Sequence, residues 1–156
     1  MEREKALNKA KEYFDTGAFE ADLARRISFR TESNLKNSEA ALSSYLFDEM
    51  SPYLSSMDFD CTVFPNPRSD AGPILVARRQ ESDELPTVMT YGHGDVVAGF
   101  EGQWIDNINP WVITKSDERS YGRGTADNKG QHTINLAALK TVLDVRGRLG
   151  FNIIVL

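Results

Sequence analysis

The sequence has 156 residues, 40% of them hydrophobic and 26% charged, which suits one globular domain with a hydrophobic core. Its net charge of −5 gives no electrostatic reason to expect nucleic acid or an anionic membrane as a partner. No apolar run approaches the ~20 residues of a membrane helix, and the N-terminus lacks the apolar core of a signal peptide. The single cysteine, Cys61, cannot form an internal disulfide. We therefore expect a cytoplasmic protein that binds neither nucleic acid nor membrane.

Three helices are predicted in the first third of the chain. Apolar residues recur at helical spacing over residues 2–14 and 19–27, with charged residues between them. Residues 28–37 are polar and predict a loop. Ser38 is placed to cap a third helix, which Pro52 would close. The predicted inward face of that helix is Ala41, Leu42, Tyr45, Leu46 and Met50.

Strand-forming residues dominate the middle of the chain. β-branched and aromatic residues predict strands at residues 59–64, 73–79 and 87–91. Cys61 lies in the first of these strands and is expected to be a buried apolar thiol. Residues 98–117 are rich in Gly, Trp and Pro and predict a long irregular loop, of the kind that often carries function.

A helix and a last strand complete the pattern. The helix begins after residue 130 and ends at Gly147, and residues 151–156 predict a buried strand. The predicted apolar face of this helix is Ile134, Ala137, Ala138, Thr141, Val142 and Val145. The element order predicts an α/β fold, in which N-terminal helices are followed by a central mixed β-sheet packed by helices. Because the sequence stops within a core strand, we expect a piece of a larger protein whose open last strand favours a homodimer.

The stretch at residues 91–97, Tyr-Gly-His-Gly-Asp-Val-Val, carries the strongest chemical signal. Gly92 and Gly94 allow a sharp turn around His93 at the C-terminal end of a predicted strand, where ligands bind in α/β sheets. A metal-bound imidazole often donates its second N–H to a carboxylate, and Asp95 is placed to accept it. A lone histidine is more often structural or solvated, so these residues alone leave both interpretations open.

Asp127 lies in a second glycine-containing turn, just before the predicted helix. It is either an N-cap, which needs no metal, or a carboxylate ligand of the same cation as His93 that bridges two cations. If Asp127 is only an N-cap, Lys129 would be simply solvated. Periodicity does not separate the two interpretations.

Other chemistries have less support. The sequence has no Gly-x-Ser-x-Gly nucleophile elbow. Gly92-x-Gly94 lacks the third glycine of a dinucleotide-binding fingerprint, because Val97 stands at that position. His132 lies on the helix after Asp127, and we expect it at the surface or behind the metal ligands.

Three segments together resemble one family. They are YGHGDVV at 91–97, Trp104 followed by Asn109-Pro110-Trp111, and YGRGTADNKG at 121–130. In this order and at this spacing they resemble the dinuclear zinc metallopeptidases, which include carnosinase-type dipeptidases, aminoacylases, acetylornithine deacetylase and succinyl-diaminopimelate desuccinylase. The Tyr-Gly-His and Tyr-Gly-Arg-Gly wording is most similar to the dipeptidase branch.

The resemblance implies a role for each candidate residue. His93 would be a zinc ligand, Asp95 the catalytic-site aspartate that orients it, and Asp127 the carboxylate that bridges two zinc ions. The resemblance also implies a cis peptide bond between Asp127 and Asn128. Asn109 and Asn128 replace residues that are commoner in the family, at positions that are not ligands.

The implied activity is zinc-dependent peptide hydrolysis of the dipeptidase kind, by a hydroxide held between two metal ions, with Mn²⁺ or Co²⁺ as possible substitutes. The alternatives are a metal-dependent deacylase or desuccinylase of N-acyl amino acids and a truncated domain without catalysis. The substrate would be a dipeptide or an N-acyl amino acid. In the family, the glutamate base, the other ligands and the lid domain follow the point that matches Leu156. Residues 1–156 would then be the N-terminal portion of the catalytic domain, inactive alone and binding zinc weakly or not at all.

Overall fold

The computed structural model describes residues 1–35, 38–68 and 71–156 and confirms the predicted α/β class. The α-helices are α1 (Glu2–Asp15), α2 (Ala18–Ser28), α3 (Glu39–Ser44), α4 (Ser51–Ser55) and α5 (Lys129–Arg146). The strands are β1 (Asp60–Phe64), β2 (Ile74–Arg79), β3 (Thr87–Thr90), β4 (Thr114–Ser116), β5 (Arg119–Tyr121) and β6 (Asn152–Val155). Positions 36 and 37 of the loop predicted at 28–37 lie outside the described residues. None of the helices in the described ranges is long and apolar enough to cross a membrane.

A continuous helical rod runs from α3 through a π-helical turn, Tyr45–Met50, into α4. The prediction that Pro52 closes this helix is wrong, because Pro52 lies in the first turn of α4 and the rod continues to Ser55. In a regular α-helix the Pro52 ring would meet the carbonyl of residue 48, and the wider π turn occurs at that place. Ser38 is at the N-cap of α3, but its side chain makes no capping hydrogen bond.

The main sheet is mixed, as predicted, with the strand order β1-β2-β6-β3. The strand β6 runs antiparallel to β2 and parallel to β3. The prediction that the last strand is an open edge is therefore wrong: Ile153 pairs with Arg79 on one side and with Val88 on the other. The open edges of this sheet belong to β1 and β3, so β6 gives no reason to expect a homodimer.

The loop predicted at residues 98–117 ends in regular structure. Strands β4 and β5 form a small antiparallel hairpin outside the main sheet, with Thr114 opposite Tyr121. Asp117, in the turn between them, has φ +54°, a left-handed conformation that aspartate tolerates. Each strand has three mostly polar residues, so no hydrophobic alternation indicates the hairpin in the sequence.

The hydrophobic core joins the main sheet to the helical rod and to α5. Its buried residues are Tyr45, Met50, Leu54, Met57, Phe59, Leu75, Ala77, Leu136, Leu149 and Ile153. The predicted apolar face of α5 is wrong in part, because Ile134 is 58% exposed and Ala138 is also exposed. Polar residues of α5 are buried instead, among them Lys129, His132 and Thr133. Cys61 is half-buried against this core, and burial raises the pKa of its thiol.

At Gly130, α5 lies close to the backbone of the preceding turn. A Cβ added at Gly130 would lie 1.9 Å from the carbonyl oxygen of Thr125, which is a backbone atom and cannot rotate away. We expect Gly130→Ala to lower the free energy of unfolding by about 3 kcal/mol, the upper end of the usual range for overpacking. Urea unfolding followed by circular dichroism measures this loss. In the matched control Gly122→Ala, the new methyl meets side-chain atoms at 3.4 Å, an ordinary contact. Equal losses in the two variants would contradict the prediction.

Candidate metal centre

The candidate site begins where β3 ends. Beyond Thr90 the chain remains paired to the neighbouring strand, since the Gly92 N–H donates to the carbonyl of Leu156 at 2.9 Å. His93 follows directly, with its side chain about one-third exposed. The sheet therefore fixes the backbone up to His93, and the ligand-binding end of the strand presents its imidazole.

The imidazole of His93 lies between two aspartates. Its Nδ1 is 3.2 Å from Oδ1 of Asp95 and 3.1 Å from the Asp95 carbonyl oxygen. Its Nε2 is 3.0 Å from Oδ1 of Asp127. The structure thus brings together the three residues that the sequence analysis singled out.

Both nitrogens of the His93 ring face oxygen atoms that can only accept. A neutral imidazole carries one N–H, so it can donate to only one of its two aspartates. If Nδ1 donates to Asp95, the lone pair on Nε2 faces the carboxylate of Asp127. A cation between Nε2 and that carboxylate, either a proton or a metal ion, removes the repulsion between the two electron pairs.

Asp127 precedes α5 without capping it. The N-cap position of α5 belongs to Asn128, so the interpretation of Asp127 as an N-cap is wrong. The peptide bond between Asp127 and Asn128 is cis, as the family resemblance implied. The Asp127 side chain is 81% exposed and is directed to His93. Its second oxygen is therefore accessible to a further ligand or ion.

A partly buried chain of polar side chains supports His93 from behind. Oδ1 of Asn128 accepts the His93 N–H at 3.2 Å and lies 3.4 Å from Nδ1 of His132. The other ring nitrogen of His132 is 2.5 Å from the Tyr45 hydroxyl, which donates to it. Of the two positions expected for His132, the surface is wrong because the side chain is buried, and a position behind His93 is observed. Burial lowers the pKa of His132 to about 3. A neutral His132 donates through Nδ1 and accepts through Nε2, which matches both contacts.

Lys129 ties the start of α5 to the end of α2. Its ammonium group is fully buried and donates to the carbonyls of Arg26 and Phe29 at 2.9 and 2.8 Å. It also lies 4.8 Å from the centre of the Tyr45 ring. The expectation of a solvated Lys129 is therefore wrong. Burial lowers the pKa of Lys129 to about 7.

The loop that carries Trp104 and Trp111 packs beside the turn that leads to Asp127. The carbonyl of Pro110, which is fully buried, accepts from the Arg123 N–H at 2.6 Å. The Arg123 guanidinium lies 5.1 Å from the Trp104 ring centre. Trp111 is 4% exposed, and its indole N–H donates to Glu101 at 2.6 Å. The two contacts of Arg123 thus join the turn at residues 122–127 to this loop.

His93 borders two of the cavities that the described residues form. One of about 230 Å³ is bounded by His93, Asp95, Asp127 and Arg123 among others. The other, of about 880 Å³, extends from His93 and His132 along the apolar side chains of the helical rod. The smaller cavity gives a ligand direct access to the two carboxylates.

The His93 and Asp127 donors fit one zinc ion. Two donor atoms bound to one tetrahedral Zn²⁺ lie about 3.3 Å apart, because each bond is about 2.0–2.1 Å long. Nε2 of His93 and Oδ1 of Asp127 are 3.0 Å apart, close to that separation. Over residues 1–35, 38–68 and 71–156, however, no group of three or more His, Cys, Asp or Glu side chains is arranged to hold a metal ion. The described residues therefore offer two donor atoms at a candidate metal site.

We expect the 156-residue chain to bind Zn²⁺ weakly, because two protein ligands leave a tetrahedral ion largely hydrated. Calorimetric titration with Zn²⁺ checks this for the wild type and for His93→Ala and Asp127→Ala. Tight binding by the wild type that both variants lose would contradict the expectation.

Asp95 is expected to set the metal affinity of the whole natural protein through His93. In Asp95→Asn the charged acceptor of the Nδ1 hydrogen bond is lost, while the Asp95 carbonyl contact at 3.1 Å is kept. We expect a 10- to 100-fold lower affinity for zinc, the usual effect of removing a carboxylate behind a histidine ligand. Competition with a zinc chelator measures it, and Asp15→Asn, at an exposed position of α1, is the control. Unchanged affinity in Asp95→Asn would refute this role.

Comparison with known proteins agrees with this geometry. Residues 89–156 match the model of the family described as peptidase family M20/M25/M40. This part of the chain is therefore similar to a peptidase M20 family domain. The M20 match includes His93, Asp95 and Asp127 and begins within β3.

Curated proteins similar to this chain include dipeptidases and deacetylases. A β-Ala-His dipeptidase of Mus musculus is 34% identical over 102 residues, 64% of this chain and 20% of that protein. A cysteinylglycine-S-conjugate dipeptidase of Corynebacterium striatum is 32% identical over 94 residues, 59% of this chain and 20% of the enzyme. An acetylornithine deacetylase of Aliivibrio fischeri is 43% identical over 51 residues, 33% of this chain and 13% of that protein. The chain thus spans about a fifth of the length of the dipeptidases it matches.

Solved structures share the fold. Human carnosine dipeptidase 1 superposes with a TM-score of 0.77 at 24% identity, over 97% of this chain and 33% of that one. The dipeptidase Dug1p of Saccharomyces cerevisiae superposes with a TM-score of 0.79 at 20% identity, over the same shares. At these identities the likeness shows the fold, helices followed by a mixed sheet.

Several residues around the site escaped the sequence analysis. Thr31 and Glu32 lie in a segment interpreted as a polar loop, yet they are 0% and 8% exposed. Tyr45 was expected only to face inward, and its hydroxyl contact with His132 was not foreseen. The polar residues at 28–33 gave no local signal, because their partners lie more than 60 residues further along the chain.

Proposed function

We propose that this chain forms one wall of the active site of a zinc-dependent dipeptidase, in which His93 and Asp127 bind zinc and Asp95 orients His93. The observation that carries the proposal is the His93 ring, which faces a carboxylate oxygen at 3.2 Å on one nitrogen and at 3.0 Å on the other. This arrangement favours a shared cation at Nε2. The two dipeptidase relatives, each matched over more than half of the chain, support the same conclusion.

The proposed role of each residue follows from its contacts. Asp95 accepts a hydrogen bond from the Nδ1–H group of His93 and so keeps the lone pair of Nε2 directed at Asp127. The Asn128 side chain accepts a hydrogen bond from the backbone N–H of His93. This contact fixes the height of the imidazole ring above the sheet. The exposed carboxylate of Asp127 has a second oxygen available to a second ion. Zinc bound here would supply a Lewis acid, with Mn²⁺ or Co²⁺ as substitutes.

The test is a hydrolysis assay on the whole natural protein, since the chain spans about a fifth of its dipeptidase relatives. The panel contains β-Ala-His, a cysteinylglycine S-conjugate and N-acetylornithine, each with Zn²⁺ or Mn²⁺ and with a chelator. We expect hydrolysis of the two dipeptide substrates that is lost with the chelator and restored by metal. Absence of metal-dependent hydrolysis of every compound would reject the proposal.

A deacylase of N-acyl amino acids is the second candidate. It is favoured by the acetylornithine deacetylase match, which reaches 43% identity, although over only 51 residues. Both substrate classes have an amide bond and a carboxylate nearby, so the residues of this chain serve either reaction. Preferential cleavage of N-acetylornithine over β-Ala-His in the same panel would select this candidate.

A further inference from the structure

An N-terminal segment, residues 31–33, packs against the loop that carries Asp95. We call residues 31–33 the clamp segment. The Val96 N–H donates to the Thr31 carbonyl at 2.8 Å, and the Ser33 N–H donates to the Val96 carbonyl at 3.1 Å. Glu32 and Val96 thus form an isolated parallel bridge. The bridge belongs to neither sheet and joins parts of the chain that are more than 60 residues apart.

Two buried side chains of the clamp segment add hydrogen bonds to the same loop. The Thr31 hydroxyl donates to the carbonyl of Gly94 at 2.5 Å, and Thr31 is fully buried. Oε1 of Glu32 accepts from the Gly99 N–H at 2.7 Å, and Glu32 is 8% exposed. The loop is therefore held immediately before Asp95, immediately after it, and again at Gly99.

These contacts bear on His93 through Asp95. The Asp95 carbonyl and carboxylate both lie within 3.2 Å of Nδ1 of His93, so a small rotation of the Asp95 backbone would move both acceptors. The Asp95 side chain is 45% exposed. Within the described residues, it makes no side-chain hydrogen bond other than that to His93. Its position is set by the backbone on either side of it, at Gly94 and Val96.

We propose that Thr31 and Glu32 are positioning residues, which hold the loop at residues 94–99 so that Asp95 keeps the proton of His93 on Nδ1. The proposal rests on the proposed function in one respect, that Nε2 of His93 serves as a metal ligand. The clamp acts on the metal-free ring, so its effect on the histidine proton is measurable without metal or substrate.

The experiment records the ¹⁵N shifts of the His93 ring in the metal-free protein at alkaline pH, where an imidazole carries one proton. In wild type we expect the Nδ1–H tautomer to dominate. The variant Thr31→Val lacks the hydroxyl, and we expect its fraction of the Nδ1–H tautomer to be about twofold lower. We expect its zinc affinity to be about tenfold lower, which is the usual effect of removing the support behind a histidine ligand. Thr31→Ser keeps the hydroxyl, and we expect it to have the Nδ1–H fraction and the zinc affinity of the wild type.

Glu32 gives an independent arm of the test. Glu32→Gln keeps an oxygen acceptor for the Gly99 N–H and is expected to behave as wild type. Glu32→Leu removes the acceptor and is expected to shift the tautomer as Thr31→Val does, and it decides the question if Thr31→Val does not fold. Thr141→Val, at a buried threonine three turns along α5 from Lys129, controls for the general effect of burying a valine.

The outcomes separate the clamp from a purely structural role. A tautomer shift in Thr31→Val and Glu32→Leu, with none in Thr141→Val, supports it. Lower stability with unchanged His93 ring shifts overturns it. If the whole natural protein shows no metal-dependent hydrolysis, the proposed function fails, but the tautomer measurement still decides whether the clamp orients His93.

Discussion

Replacement of His93 or Asp127 by alanine is expected to lower metal-dependent hydrolysis by the whole natural protein about 10²–10³-fold or more. The physical reason is that each change removes a donor at the point where the His93 ring and the Asp127 carboxylate meet, 3.0 Å apart. The loss of one group that stabilises charge in an active site has an effect of this size. Steady-state kinetics with the best substrate of the panel, and the zinc content of the purified variants, measure it.

The control for this pair is Glu118→Ala, which removes an exposed carboxylate from the hairpin between β4 and β5. It is expected to keep both zinc content and activity. A variant at position 93 or 127 with wild-type activity would refute the assigned ligands. If both variants lose zinc but the wild type is inactive on every compound, the metal site stands and the dipeptidase proposal fails.

Replacement of Glu49 by glutamine is expected to lower the free energy of unfolding by about 3–5 kcal/mol, the usual cost of breaking a buried ion pair. The Glu49 side chain is 5% exposed and accepts from the fully buried guanidinium of Arg26 at 3.1 Å and from Arg25 at 2.5 Å. Arg26 also donates to Thr133 at 2.7 Å, so the network links α2, the π turn and α5. An amide at position 49 would leave the charge of Arg26 buried without its counter-ion. A loss of this size is a large share of the 5–15 kcal/mol that stabilises a typical domain.

Urea unfolding checks the Glu49 prediction, with Asp144→Asn as a matched control. Asp144 is a carboxylate paired with Lys9 and Lys140 at the surface, where ion pairs contribute about 0–1 kcal/mol. The double change Arg26→Met with Glu49→Leu is expected to recover part of the loss, because it removes both buried charges together. A Glu49→Gln variant as stable as Asp144→Asn would refute the account of the network.

The three candidate residues could be singled out because each stands in a local pattern, and the family resemblance then implied their roles. His93 and Asp95 are two residues apart between glycines, and Asp127 precedes a helix that 3.6-residue periodicity indicates. The α/β class also followed from the order of periodic segments. Both kinds of prediction depend on local patterns, which the sequence displays directly.

The surroundings of the site were not predictable, because they depend on pairing between distant segments. β6 lies inside the sheet because β2 and β3 pair with its two sides. The hydrophobic pattern of a buried strand is the same whether the strand lies inside a sheet or at its edge. The burial of Lys129 and His132 depends on carbonyl and hydroxyl partners from α2 and the π turn. A prediction from residue type alone places such polar residues at the surface. For the same reason, the buried face of α5 was predicted incorrectly in part.

The π turn, Tyr45–Met50, determines where the helical rod can lose a residue. Tyr45 reaches His132 from this turn, and Glu49 reaches Arg26 from it. An i→i+5 turn holds one residue more than an i→i+4 turn. Loss of one residue inside it would restore α-helical winding and leave α3 and α4 at nearly the same angular phase, because one wide turn is replaced by one regular turn. The helical rod is therefore expected to tolerate the loss of one residue in this turn, other than Tyr45 or Glu49, better than α5 tolerates such a loss, because in a regular α-helix the residues that follow would rotate by about 100°.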